Sequence, residues 1–186
     1  MVEIKGRVLD AFVTPNHRML ITHQNLNGKL EFRQASELKP NSSVLTSAEL
    51  VDADETFATP FPGIEHGDWA EFLGWFIAEG HVLNRSTGKD NLVGISQLHP
   101  EKTKYLHGFL QRLPWEFKYS GHTFQTWSQE LWNYLSQFGH AIDKFIPDSI
   151  FTAPSEIKAR LLNGLWMGDG SQRLYYTISR KLADQV

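Results

Sequence analysis

The sequence predicts an α+β chain in which a partial all-β module precedes one αββαββα repeat and the start of a second. Three observations carry this. Short β-type runs separated by turn signals fill residues 8–46, and helical and alternating patterns follow one another over residues 68–139. Two apolar stretches, Leu73-Gly74-Trp75-Phe76-Ile77-Ala78-Glu79-Gly80 and Leu162-Asn163-Gly164-Leu165-Trp166-Met167-Gly168-Asp169-Gly170, each close on an acid and a glycine and head the two repeats.

At 186 residues, 41% of them hydrophobic and 12% aromatic, the chain can bury a core. It has no cysteine, which excludes disulfides, Cys-ligated zinc and a cysteine nucleophile. No apolar run approaches the ~20 residues that span a bilayer, and Met1-Val2-Glu3-Ile4-Lys5 carries no signal-peptide core. The expectation is an intracellular protein, cytoplasmic or made in a phage-infected host cell, with no membrane partner. A net charge of -3 counts against nucleic-acid binding when averaged over the chain, so any DNA-facing surface must segregate its Lys and Arg. Asp52, Asp54 and Glu55 cluster outside the repeats, which fits that segregation.

In order, Val8 to Val13, Arg18 to His23, Leu30 to Phe32 and Ser43 to Thr46 read as strands, and Asn27-Gly28 is a type I′ hairpin signal. Residues 56–67, with Pro60 and Pro62, read as a linker. Asp68-Trp69-Ala70-Glu71 resembles a capping box, opening a helix that runs to Glu79-Gly80. His81 to Arg85 and Asn91 to Gln97 form a hairpin. Pro100 opens a helix on which Tyr105, Leu106, Phe109, Leu110 and Leu113 follow helical spacing until Pro114. Trp115 to Tyr119 alternates, Ser120-Gly121 turns it into His122 to Trp127, and Ser128 caps a helix that Gly139 stops. After the connection at Ala141 to Pro147, Pro154-Ser155-Glu156 starts the second motif helix. Leu174 to Ser179 has β character, and Arg180 to Asp184 begins a helix.

The two motif stretches carry the chemistry. If each ends a helix, Gly74 and Ala78 share one face and Gly164 and Gly168 another. Small residues at that spacing let two helices come closer than the usual 8–10 Å or so, bringing Glu79 and Asp169 together. A carboxylate in a last helical turn meets the negative end of the macrodipole, and a neighbouring carboxylate adds repulsion. A divalent cation is the natural compensating charge. Two acids with helix-terminal carbonyls suit Mg2+, which makes Glu79 and Asp169 candidate metal ligands. For a single copy, a surface acid before a glycine cap is the simpler reading; two copies with the same spacing favour a site.

This pair of motifs, from about His66 onward, resembles the LAGLIDADG (DOD-type) homing endonucleases. The resemblance implies that Glu79 and Asp169 bind the metal for site-specific double-strand DNA cleavage. It also implies that the outward sheet face straddles DNA, with Arg85, Lys89, Lys118 and Gln125 as candidate contacts. Lys144, shortly before Ile146-Pro147, resembles the catalytic lysine of intein endonucleases, where a fixed ammonium stabilises developing charge. Upstream, Val13-Thr14-Pro15-Asn16-His17-Arg18-Met19-Leu20 and Ala35 to Leu45 resemble two pieces of the Hint (intein splicing) fold. Thr14 and His17 fall where that family polarises the scissile amide, and an ordinary polar turn is the alternative. Thirteen residues, none of them Cys or Ser, precede Thr14, and the chain closes on Ala183-Asp184-Gln185-Val186 without His-Asn, so self-splicing is not expected.

The expected organisation is residues 1–55 as a partial Hint-like module, 56–67 as linker, 68–140 as the first LAGLIDADG repeat, and 141–186 as connection and incomplete second repeat. The expected function is an intein-encoded homing endonuclease fragment that uses Mg2+, a DNA endonuclease completed by a second polypeptide carrying the missing half. The alternatives are a non-catalytic half of a split intein acting in trans-splicing, and a DNA-binding module that has lost cleavage.

Overall fold

A computed structural model describes residues 1–6, 9–22, 29–46, 57–84, 91–171 and 174–186. Asn27-Gly28, the acidic cluster at 52–55, Arg85 and Lys89 lie outside them. The chain divides into two units, Met1–Leu50 and Val51–Val186.

In the first unit β1 (Val2–Lys5) pairs antiparallel with β2 (Asp10–Val13), and β3 (Arg18–Thr22) runs between β4 (Leu30–Gln34) and β5 (Ser43–Val44). Alternation along β3 buries Met19 and Ile21, and Ala35 is buried as well. Phe12, Leu30 and Phe32 stay exposed, as expected where so short a unit builds a small core. Thr14 to His17 form the turn between β2 and β3, closed by His17 N donating to Thr14 O at 3.0 Å. Ala35 N and Ser36 N donate to the carbonyls of His17 and Pro15, so the two segments singled out in this unit are neighbours. The Thr14 and His17 side chains are exposed.

The second unit runs α1 (His66–Glu79), β6 (Gly80–Asn84), β7 (Asn91–Ser96), α2 (Pro100–Leu110), β8 (Lys118–Ser120), β9 (Thr123–Trp127) and α3 (Gln129–Leu135). It continues with α4 (Asp148–Phe151), α5 (Ser155–Asp169), β10 (Gly170–Ser171), β11 (Leu174–Tyr175) and α6 (Arg180–Gln185). Helix α1 starts two residues before the capping-box position, because the Glu65 carboxylate accepts from Asp68 N at 2.8 Å. Ser128 and Ser179 cap α3 and α6 by accepting from Leu131 N and Leu182 N. The antiparallel sheet β6-β7-β9-β8 turns Val93, Ile95 and Phe124 inward and carries His81, Gly94, Gln125 and Lys118 across its outward face.

Two sequence expectations shift. Residues 57–67 are a packed strap: Phe57, Phe61 and Ile64 are buried, and the Phe61 ring sits 5.0 Å from Trp69 and 5.1 Å from Trp115. Prolines interrupt hydrogen bonding but leave neighbouring side chains free to pack, so Pro spacing alone cannot separate strap from linker. Strand β8 begins only at Lys118; Trp115 and Phe117 are half-buried against the core ahead of it.

Candidate functional site: two carboxylates at a helix seam

Helices α1 and α5 pack along their small residues. A Cβ added at Gly74 would collide with Leu161 O and lie 2.8 Å from Leu165 N. One added at Gly164 would collide with Glu71 O and lie 2.9 Å from Trp75 N. The reciprocity marks a local two-fold, pairing Glu71 with Leu161, Gly74 with Gly164, Ala78 with Gly168 and Glu79 with Asp169. At the end of the seam a Cβ on Gly168 would collide with Ala78 Cβ and lie 3.2 Å from Glu79 Cγ. Leu161 and Leu165 are buried in the unit's core, while Trp166 is exposed.

Glu79 and Asp169 thus sit side by side. Burial holds the Glu79 carboxyl above the usual carboxylate range, the Asp169 charge raises it further, and Lys102 draws it partly back. Burial also raises Asp169, again opposed by Lys102. The Tyr175 hydroxyl is buried with no hydrogen-bond partner among the described residues, and burial followed by the charges of Asp169 and Glu79 raises its pKa.

Lysines from elsewhere occupy the helix-end carbonyls that the sequence suggested as metal ligands. Lys102 Nζ, on α2, donates to Gly168 O at 3.1 Å and Gly170 O at 3.4 Å. Lys144 Nζ donates to Gly80 O at 2.9 Å and Phe76 O at 3.4 Å and lies 4.0 Å from the centre of the Phe76 ring. Lys144 is buried, and burial pushes its ammonium down to about 8. These are the cations that stability places at helix C-termini, supplied through the fold. Lys102 carried no sequence signal, because it stands one helix and one strand pair away from the acids it faces.

A pocket of about 530 Å³ lined by Glu79, His81, Ser96, Trp132, His140 and Lys144 opens on one side, and one of about 450 Å³ lined by Asp169, Lys144, Tyr176 and Thr177 on another. Burial and then the Lys144 charge lower the His81 imidazole. On the outward sheet face Lys118 and Gln125 are direct cross-strand partners. Among the described residues no group of three or more His, Asp or Glu is placed to hold a metal. The carboxylate pair fits a cation that takes one or two protein carboxylates and keeps its waters, which is how Mg2+ binds.

The other end of the seam is different. Glu71 is wholly buried and accepts from Tyr105 Oη at 2.5 Å and Asn163 Nδ2 at 3.2 Å, with Arg160 Nη1 at 2.9 Å. Arg160 Nη2 also pairs with Asp68 at 2.9 Å, as Arg112 does at 3.0 Å.

No family model matches the chain. It is 26% identical, over an alignment of 224 residues covering the whole chain, to a protein of Chlamydomonas moewusii named "ATP-dependent Clp protease proteolytic subunit". The chain spans 22% of that protein's length. This match overturns the resemblance drawn from the motifs. The protein matched is named as a proteolytic subunit, neither a LAGLIDADG homing endonuclease nor an intein. Site-specific DNA cleavage, DNA endonuclease activity and the intein assignment with its splicing alternatives are corrected accordingly. The physical reason lies in the motif itself. Small residues four apart are what any close two-helix seam requires, so the pattern reports helix contact and leaves the reaction open. Among the described residues no helix is long and apolar enough to cross a membrane.

Proposed function

We propose that the end of the α1–α5 seam is a binding centre for hydrated Mg2+, with Glu79 and Asp169 as its two protein ligands. The observation that carries this is their juxtaposition: two carboxylates held together, each raised by burial, with the Lys102 charge partly offsetting both. A divalent cation neutralises the two carboxylates and keeps water-filled coordination positions facing the pockets beside Lys144. Double-stranded DNA is the polyanion we place against this unit, with Lys118 and Gln125 contacting it from the outward sheet face. The test is calorimetric titration of Mg2+ into the metal-stripped chain, followed by DNA mobility shifts with and without the ion. Saturable Mg2+ binding that Asp169→Asn removes, and a DNA shift that Lys118→Ala weakens, support the reading; no heat of Mg2+ binding ends it.

Peptide-bond hydrolysis is the second reading, favoured by the similarity of the whole chain to part of a protein named as a proteolytic subunit. Carboxylates whose protons are held up by burial can exchange a proton with water attacking an amide carbonyl, and such a pair would not need the cation. Cleavage of a fluorogenic peptide that survives chelator and is lost in Glu79→Gln would favour it over the first. An inert chain would remove it.

A further inference from the structure

The local two-fold that pairs Glu79 with Asp169 continues into the strands that follow the two helices. Gly80 pairs with Ile95 across β6–β7, and Gly170 with Tyr175 across β10–β11, so Ile95 and Tyr175 are counterparts. Ile95 is buried in the core, and Tyr175 packs against that same core. An aliphatic side chain therefore meets the packing need at this position. What the tyrosine adds is a hydroxyl.

That hydroxyl is buried and unpaired among the described residues, and the charges of both Asp169 and Glu79 act on it. Buried polar groups are almost always hydrogen-bonded, because an unpaired one forfeits its hydration and gains nothing in exchange. A phenol oxygen accepts as well as donates. Mg2+ keeps several of its waters when it binds to one or two carboxylates, and each of those waters has protons to donate. Groups that fix a metal's surroundings without touching it hold the ion in place, and losing one commonly costs about tenfold or more in affinity.

We propose that Tyr175 is the third protein group of the cation centre, its hydroxyl accepting a hydrogen bond from a water on the ion that Glu79 and Asp169 bind. This rests on the cation site proposed above and adds how that site grips a hydrated ion. A neutral acceptor completes the centre without setting a third negative charge beside two carboxylates that already repel.

Tyr175→Phe in the intact chain removes the hydroxyl and keeps the ring. Two measurements then separate a cation-holding role from a structural one. In chelator, the variant melts at the same temperature as the wild-type chain or higher, because an unpaired buried group has gone. In calorimetric titration, its Mg2+ affinity falls about tenfold. A hydroxyl that merely holds the fold gives the reverse, a lower melting temperature with unchanged affinity. Lower melting in chelator, or Mg2+ bound as tightly as by the wild-type chain, overturns the role of Tyr175 and leaves the carboxylate site standing. A wild-type chain that takes up no Mg2+ removes the site and this inference together.

Discussion

The two ends of the α1–α5 seam bury acids in opposite ways. At the amino end of α1, Asp68 and Glu71 are met by Arg112, Arg160, Tyr105 and Asn163, so buried negative charge has donors from α2, the turn after it and α5. At the carboxyl end, Glu79 and Asp169 face one another, and the nearby lysines spend their hydrogen bonds on backbone carbonyls. One end resembles a structural lock, the other a site kept under electrostatic tension. The same glycine contact holds both in place, so the contrast lies in the partners.

The largest effect should come from breaking the lock. Arg160→Met leaves the wholly buried Glu71 without its cation and should cost about 3–5 kcal/mol, read as a fall in the urea midpoint. Replacing Glu71 and Arg160 together with Leu should recover much of that loss, because no charge is then stranded. Gly74→Ala tests the contact that both ends share. Its Cβ meets the backbone of α5, so about 1–3 kcal/mol of overpacking is expected, together with weaker Mg2+ binding as the acids move apart.

At the other end the sign should reverse. A carboxyl whose folded pKa is raised binds more protons in the folded state, so its destabilising effect appears as pH rises through that pKa and is complete above it. At pH 7 without metal, Asp169→Asn should therefore stabilise the chain by about 0.5–2 kcal/mol, as thermal unfolding will register. A loss of stability would make the pair a second lock. Lys144 gives an effect that shows only in alkali. Its folded pKa near 8 lies below the ordinary lysine value, so the unfolded state holds more protons between about pH 8 and 10.5 and stability rises with pH across that window. Lys144→Met should flatten that slope, measured by denaturant midpoints from pH 7 to 10.

Local pattern was enough for some of this architecture. Gly74, Ala78, Gly164 and Gly168 stand at a spacing that only closely packed helices need, which made the seam and the meeting of Glu79 with Asp169 legible. The serine cap of α3 and the proline opening α2 are equally local, since a cap is decided within one turn. Partner choice between distant segments was not legible. Residues 57–67 look like a linker and pack like core, and Lys144 looks like a connecting residue and is buried at the end of α1. Lys102 and Arg160 reach their acids from other helices, across separations that no periodicity encodes. Residue spacing was enough to say which helices meet and which acids they bring, whereas which acids find cations had to wait for the folded chain, because charge pairing depends on distance in space and spacing along the chain reports only one helix face at a time.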